Sequence, residues 1–208
     1  MIKAFKEEND FDELVANTYV VGVGDDCIVV DLGKCSQRLI DYINHTYKKV
    51  LGILLTHAHV DHIRGVVPFL KHFNYDIPVY LHGDDYEMIV NPSLASAGMD
   101  TPDTNFDPQL VKDDEILEFN DLKIKVIHTP FHTKGSVCYL DEEDNALFTG
   151  DTLFKESIGR TDLYGGDSSS VYPSLTKLTC LNEMLVCFPG HGSVTTIKAE
   201  KANNPFLH

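Results

Sequence analysis

Short apolar runs that stop at a turn recur along this chain: "NTYVVG", "CIVVDLG", "VLGILLT", "IPVYLH", "LKIKVIHTP", "SVCYLD", "NALFTGD" and "MLVCFPG". They are rich in Val, Ile, Tyr and Thr and bounded by Gly, Asp or Asn, so they read as strands. Helical spacing is confined to three stretches, Ser36 to Tyr47, Ile63 to Phe73 and Val171 to Leu178. The strands come in groups and do not alternate strictly with helices. That favours an α/β chain of two sheets with helices outside over a doubly wound parallel sheet. Residues 91–114 lack clear periodicity, which fits either a cover or binding loop or a mobile one. No Pro- or Ser-rich linker divides the 208 residues, so residues 1–208 are expected to form one domain. "GDDCIVVDLG" and "EEDNALFTGD" share an acidic turn, an apolar strand and an Asp at the strand end, Asp31 and Asp151. A duplicated half-domain gives this pattern, and so does common turn–strand grammar.

Composition excludes several function classes. No apolar run approaches the length of a bilayer span, and "MIKAFKEENDFDELVAN" lacks the apolar segment of a signal peptide, so the cytoplasm is the expected compartment. A formal net charge of −15 opposes capture of phosphate backbones, which argues against a nucleic-acid substrate. Cys27, Cys35, Cys138, Cys180 and Cys187 are odd in number and form no C-x-x-C pair, so buried thiols are expected in place of a disulfide framework or a Cys-based zinc site.

Directly after "VLGILL" the chain reads "THAHVDH". In an extended segment His57 and His59 point to one side, because positions i and i+2 share a face. In a continuous helix they would diverge by about 200° at roughly 3.6 residues per turn. A turn into a helix near Asp61 would make Asp61 and His62 neighbouring ligands, so one stretch can serve two adjacent metals. Further donors stand at other strand ends: His132 in "TPFHTKGS", Asp151 in "FTGDTLF", and His191 in "FPGHGS", where Gly190 and Gly192 give a tight exposed turn. Imidazole nitrogen and carboxylate oxygen suit Zn(II), Fe or Mn. Of the remaining histidines, His128 is expected to pack or hydrogen-bond beneath the site and His82 to serve local structure. His45, His72 and His208 read as surface residues.

Taken in order, "THAHVDH", "TPFHTKGS", "FTGD" and "PGHG" resemble the metallo-β-lactamase-fold hydrolases, over a span from "NTYVV" to "NPFL". The resemblance implies an αββα sandwich with two divalent metal ions, zinc first and Fe or Mn as alternatives. By motif position His57, His59 and His132 would bind the first metal. Asp61, His62 and His191 would bind the second, Asp151 would bridge them, and Asp31 would support the ligands from behind. Within the superfamily, "GDTLFKESIGRTDLYGGD" and "TTIKAEKANNPFL" resemble the short glyoxalase II-type proteins, or hydroxyacylglutathione hydrolases. That likeness implies a small-molecule substrate, S-D-lactoylglutathione or a related acyl thioester, and neither a nucleic-acid nor a membrane partner.

The reaction implied is attack on the thioester carbonyl by a hydroxide bridging the metals. Asp61 and Asp151 would act through coordination, and the thiolate would leave without strong protonation, since thiols have a pKa of about 8.5. Arg160 aligns with the position of a family Lys that contacts the glutathione glycine carboxylate. A salt bridge to Asp162 or Asp167 is the competing role for it. Lys155 and Tyr164 are further substrate-contact candidates on the same stretch. Phe131 departs from the family's usual Gly and is expected to alter the turn or the wall beside the first metal. Longer glyoxalase II enzymes draw glutathione contacts from a further helical domain, and those contacts do not carry over. The alternatives are a mononuclear iron persulfide dioxygenase, another hydrolase of the fold such as a nuclease, or a metal-binding module without turnover.

Overall fold

Side-chain alternation along the strands sorts the core into three layers. In the computed structural model, which describes residues 1–5 and 15–207, one six-stranded sheet holds β1 (Ile2–Phe5), β2 (Thr18–Val23), β3 (Asp26–Val30), β4 (Val50–Leu54), β5 (Val79–His82) and β6 (Gln109–Val111), in that spatial order. The second begins with β7 (Ile116–Phe119), β8 (Leu122–His128), β9 (Val137–Asp141) and β10 (Ala146–Gly150). A hairpin of β11 (Leu153–Phe154) and β12 (Ser157–Ile158) follows, and β13 (Val186–Pro189) and β14 (Thr195–Thr196) complete the second sheet beside β10. Ile28 and Val30 face Val126, Tyr139 and Phe148 between the sheets, whereas Val29 turns outward. The period of two thus decides which layer each residue fills.

Helices cover both outer faces. On the first sheet lie α1 (Gln37–Thr46), α2 (Val60–Ile63), α3 (Val66–His72) and α4 (Tyr86–Val90), which contribute Leu39, Ile43, Ile63, Phe69 and Met88. On the second lie α5 (Val171–Thr179) and α6 (Ile197–Asn203), which contribute Leu175, Leu178 and Ile197. The architecture is the αββα sandwich. The Ser36 side chain accepts the Leu39 N–H and so caps α1, where the sequence places the helix start.

Two expectations change. The stretch from Ile63 to Phe73 is not one helix, because the chain breaks at Gly65. Its N–H donates to the Leu32 carbonyl at 2.8 Å, and a Cβ there would lie 2.7 Å from that oxygen. Residues 91–114 are not structureless throughout: they end in the edge strand β6, and Ala95 accepts the Val60 N–H at 2.9 Å. The expectation for His208 lies outside the described residues, whereas His45 and His72 are exposed as anticipated.

Pairing directions place the strand ends. β3, β4, β5 and β6 run parallel, while β8, β9 and β10 alternate and β13 runs parallel to β10. The C-terminal ends of β3 and β4 therefore share one edge of their sheet, and those of β8, β10 and β13 share one edge of theirs. A bond from the Val137 N–H to the Thr56 carbonyl ties the two together. β2–β3–β4 and β9–β10–β13 repeat the same antiparallel-then-parallel arrangement, with Asp31 and Asp151 after the equivalent strands. Among the described residues no helix is long and apolar enough to cross a membrane.

Candidate metal centre

The centre lies where β4 passes into α2. Extended backbone through His59, which caps α2, gives way to helix at Val60, so the His57/His59 pair and the Asp61/His62 pair leave the chain in different directions. His57, His59 and His132 bring donor atoms within 4.8 Å of one another; so do Asp61, His62 and His191, and so do His57, His62 and Asp151. His59 Nδ1 lies 2.9 Å from His132 Nε2, and His191 Nε2 lies 3.0 Å from Asp61 Oδ2. Asp151 stands between the sets, with Oδ2 at 3.5 Å from His132 Nε2 and 3.6 Å from His191 Nε2, and Oδ1 at 3.2 Å from His62 Nε2. All the sequence-predicted donors meet here.

Carboxylates behind the cluster orient it. Asp31, at a left-handed φ of 53°, accepts from the Thr56 N–H at 2.8 Å and from His62 Nδ1 at 2.8 Å, which leaves His62 Nε2 facing the cluster. His132 Nδ1 donates to the Arg160 carbonyl at 2.8 Å, with the same result for its Nε2. Asp85 has no counterpart among the sequence candidates. It is buried and accepts the Ala58 N–H at 3.0 Å, the Thr133 hydroxyl at 2.8 Å and the Gly135 N–H at 2.7 Å. One carboxylate thus clamps the "THAH" stretch to the loop after His132. The only sequence signal was an acidic pair after the strand "IPVYLH", which is also what a solvated turn looks like.

The donor set fits metal ions. His57 Nε2, His59 Nε2, His62 Nε2, His191 Nε2 and Asp151 Oδ1 are buried without hydrogen-bond partners, an arrangement that is costly unless a cation satisfies such atoms. Burial, followed by the neighbouring His62, His132 and His59, pushes the His57 pKa down. Burial and His132 take His59 down to about 3, so both are neutral and ligand-competent near pH 7. For Asp61 and Asp151 burial acts against ionisation, but His62 and His191 outweigh it and hold both carboxyls below their usual range. Burial likewise opposes charge on His62, yet Asp31, Asp151 and Asp61 raise its pKa well above normal. A divalent cation would meet the same negative potential. Gly190 is required for this approach, because a Cβ there would lie 2.3 Å from Asp151 Oδ1 and 2.6 Å from His62 Cε1.

The cluster opens into a cleft of about 250 Å³. Ala97, Met99, Phe154 and Leu163 supply an apolar wall, and Arg160 lines the cleft as well. Ala97 and Met99 come from the 91–114 segment, so part of that segment walls the site. The Arg160 guanidinium pairs bidentately with Asp162 at 2.6 and 2.7 Å, both side chains being largely exposed. Lys155 occupies the exposed turn of the β11–β12 hairpin, outside the cleft lining. Tyr164 donates to Glu87 Oε2 at 2.7 Å, which ties its loop to α4. Of the two roles expected for Phe131, the cleft wall does not hold. Its side chain is fully buried in the core cluster that also holds Leu175 and Leu178 of α5, so it fills the outer core and does not wall the cleft.

The model of the metallo-beta-lactamase superfamily matches residues 11–191. The chain belongs to that superfamily. It is a metallo-hydrolase of this group with a His-rich metal site. Among superfamily relatives, it is 34% identical to "Hydroxyacylglutathione hydrolase GloC" of Haemophilus influenzae, over 86% of each chain. The crystal structure of BLEG-1 B3 metallo-beta-lactamase superposes with a TM-score of 0.89 at 34% identity, covering 100% of this chain and 99% of that one. TTHA1623 in a di-iron-bound form gives 0.82 at 34% identity, covering 92% and 95%.

Proposed function

We propose that the chain is a dinuclear metal-dependent thioesterase of the glyoxalase II type, acting on S-D-lactoylglutathione or a related acyl thioester. The observation that carries this reading is the position of Asp151 Oδ2, nearly equidistant from His132 of one donor set and His191 of the other. His57, His59 and His132 would hold one divalent ion, Asp61, His62 and His191 a second, and Asp151 both. Zinc suits this nitrogen and oxygen set, as do iron and manganese. Bound there, the ions supply Lewis acidity, which stabilises negative charge on a carbonyl oxygen and lowers the pKa of water.

The protein's own groups bind and orient. Met99 and Leu163 offer apolar surface to the acyl or thiol portion of a substrate. Arg160 offers a fork for a carboxylate: Asp162 already occupies it in that geometry, and an exposed pair of this kind is weak enough to exchange. The thiol needs little help from a proton donor to depart. The name of the Haemophilus relative supports a glutathione thioester as the substrate class.

A panel of thioesters, with one β-lactam and one persulfide, offered to protein of measured Zn, Fe and Mn content tests the reading. Thioester hydrolysis with two metals per chain is expected. One iron per chain with sulfite production, or β-lactam cleavage without thioester cleavage, would overturn it.

A further inference from the structure

A second group of metal-binding side chains lies outside the cleft lining. His82 ends β5 and His128 ends β8, strands of different sheets, yet their imidazoles stack at 3.9 Å with 16° between the ring planes. Asp84 brings one carboxylate oxygen, Oδ2, to 3.8 Å from His82 Nδ1 and 3.9 Å from His128 Nε2. The three donor atoms lie within 4.8 Å of one another.

The tautomers suit ligation. His82 Nδ1 accepts the Asp84 N–H over a long 3.3 Å, so this nitrogen is unprotonated and a cation would displace only a weak hydrogen bond. His128 Nε2 sits 2.8 Å from the Lys134 carbonyl and donates to it. When a cation takes the Nε2 position, the ring's hydrogen moves through solvent to Nδ1 and the Lys134 carbonyl is freed as a fourth donor, an oxygen. Around a tetrahedral zinc with bonds of about 2.0–2.1 Å, ligand atoms stand roughly 3.3 Å apart. Asp84 must therefore close by about half an ångström, which is within reach of a side chain 60% exposed on a turn. The two imidazoles must also tilt out of their 16° stack, because lone pairs in near-parallel ring planes do not converge on one ion. Asp113, whose Oδ1 accepts the His128 N–H, adds a second negative charge that Lys177 offsets at 2.8 Å. The immediate surroundings thus remain negative by one charge, on a chain of net charge −15.

We propose that His82, Asp84 and His128 form a separate site for a borderline divalent transition ion of the zinc, nickel and copper class, completed by the Lys134 carbonyl. Two imidazoles exclude calcium and magnesium as the preferred occupants. Its location carries a consequence for the centre. Asp84 and Lys134 each precede a member of the Asp85–Gly135 bond, so an ion here ties the same two segments one residue along from the clamp.

The test is calorimetric titration of zinc into protein already loaded at the cleft and freed of excess metal, with elemental analysis of the product. Wild type should take up one further equivalent in the micromolar range. Asp84→Ala should weaken that uptake at least about tenfold, and His82→Asn/His128→Asn should remove it, with the cleft-bound metal retained. No uptake beyond the cleft metals, or the same uptake and affinity in wild type and Asp84→Ala, would overturn the proposal. Asp84 is exposed, so that variant decides the matter even if the double variant fails to fold.

Discussion

The first sheet delivers its share of the centre as one continuous piece, whereas the second delivers His132, Asp151 and His191 from three separate strand ends. The two shares are also held differently. Buried carboxylates, Asp31 and Asp85, grip the "THAHVDH" stretch from behind. On the second sheet Asp85 reaches only the loop after His132, and elsewhere backbone carbonyls do the holding. His132 leans on the Arg160 carbonyl, Gly190 bonds to Gly150 at 2.8 Å, and the Asn17 side chain spans the Pro189 and Gly192 carbonyls at 2.9 and 3.3 Å. A ligand cluster on one segment is set by two anchors, which here take its Thr56 and Ala58 N–H groups. Ligands from three segments need the segments themselves fixed.

This contrast can be broken at several points. Removing a donor from either share should have the largest effect: His59→Ala or Asp151→Ala is expected to abolish hydrolysis and lower bound metal by elemental analysis. Full activity in either variant would refute the donor assignment. Next comes the carboxylate grip. Asp85→Ala strands the buried Ala58 and Gly135 N–H groups and leaves the Thr133 hydroxyl with Ser136 alone, so urea unfolding should show a loss of about 3 kcal/mol. Metal affinity should fall about 10- to 100-fold. Wild-type values in both measurements would remove the clamp.

The backbone-held share should respond to a methyl group instead. Gly190→Ala places a Cβ against Asp151 and His62, and a cost of about 1–3 kcal/mol is expected, together with weaker metal binding in a chelator competition. Unchanged metal binding would show that the β13 turn gives way freely. The smallest effect belongs to Arg160→Ala, which should leave Tm unchanged and raise KM for a glutathione thioester several-fold more than for a neutral thioester. Equal changes for both substrates would end its proposed role.

Legibility follows the range over which each feature is decided. The "VLGILLT" strand, the Ser36-capped helix and the density of donors in "THAHVDH" depend on neighbours in sequence, and they could be read there. Asp85 could not, because its partners lie 27, 48 and 50 residues away. Gly65 breaks an apparently continuous helix for the sake of a carbonyl on another segment, Leu32. Phe131 follows the same rule: its motif position suggested an altered turn or a cleft wall, and the ring lies in the core cluster under α5, away from the cleft. The edge strands β6 and β7 escaped notice because they are only 3 and 4 residues long, too short to set up a readable alternation, and their outward faces carry the apolar Leu110 and Ile116.

The sequence by itself determined the donor types and their placement at strand ends, since both follow from side-chain chemistry and the period of a strand. Only the tertiary structure decided that Asp151 stands between His132 and His191, and that His82 meets His128. Those contacts exist because the strand ends of two sheets are brought together, and no local preference encodes which distant ends will face each other.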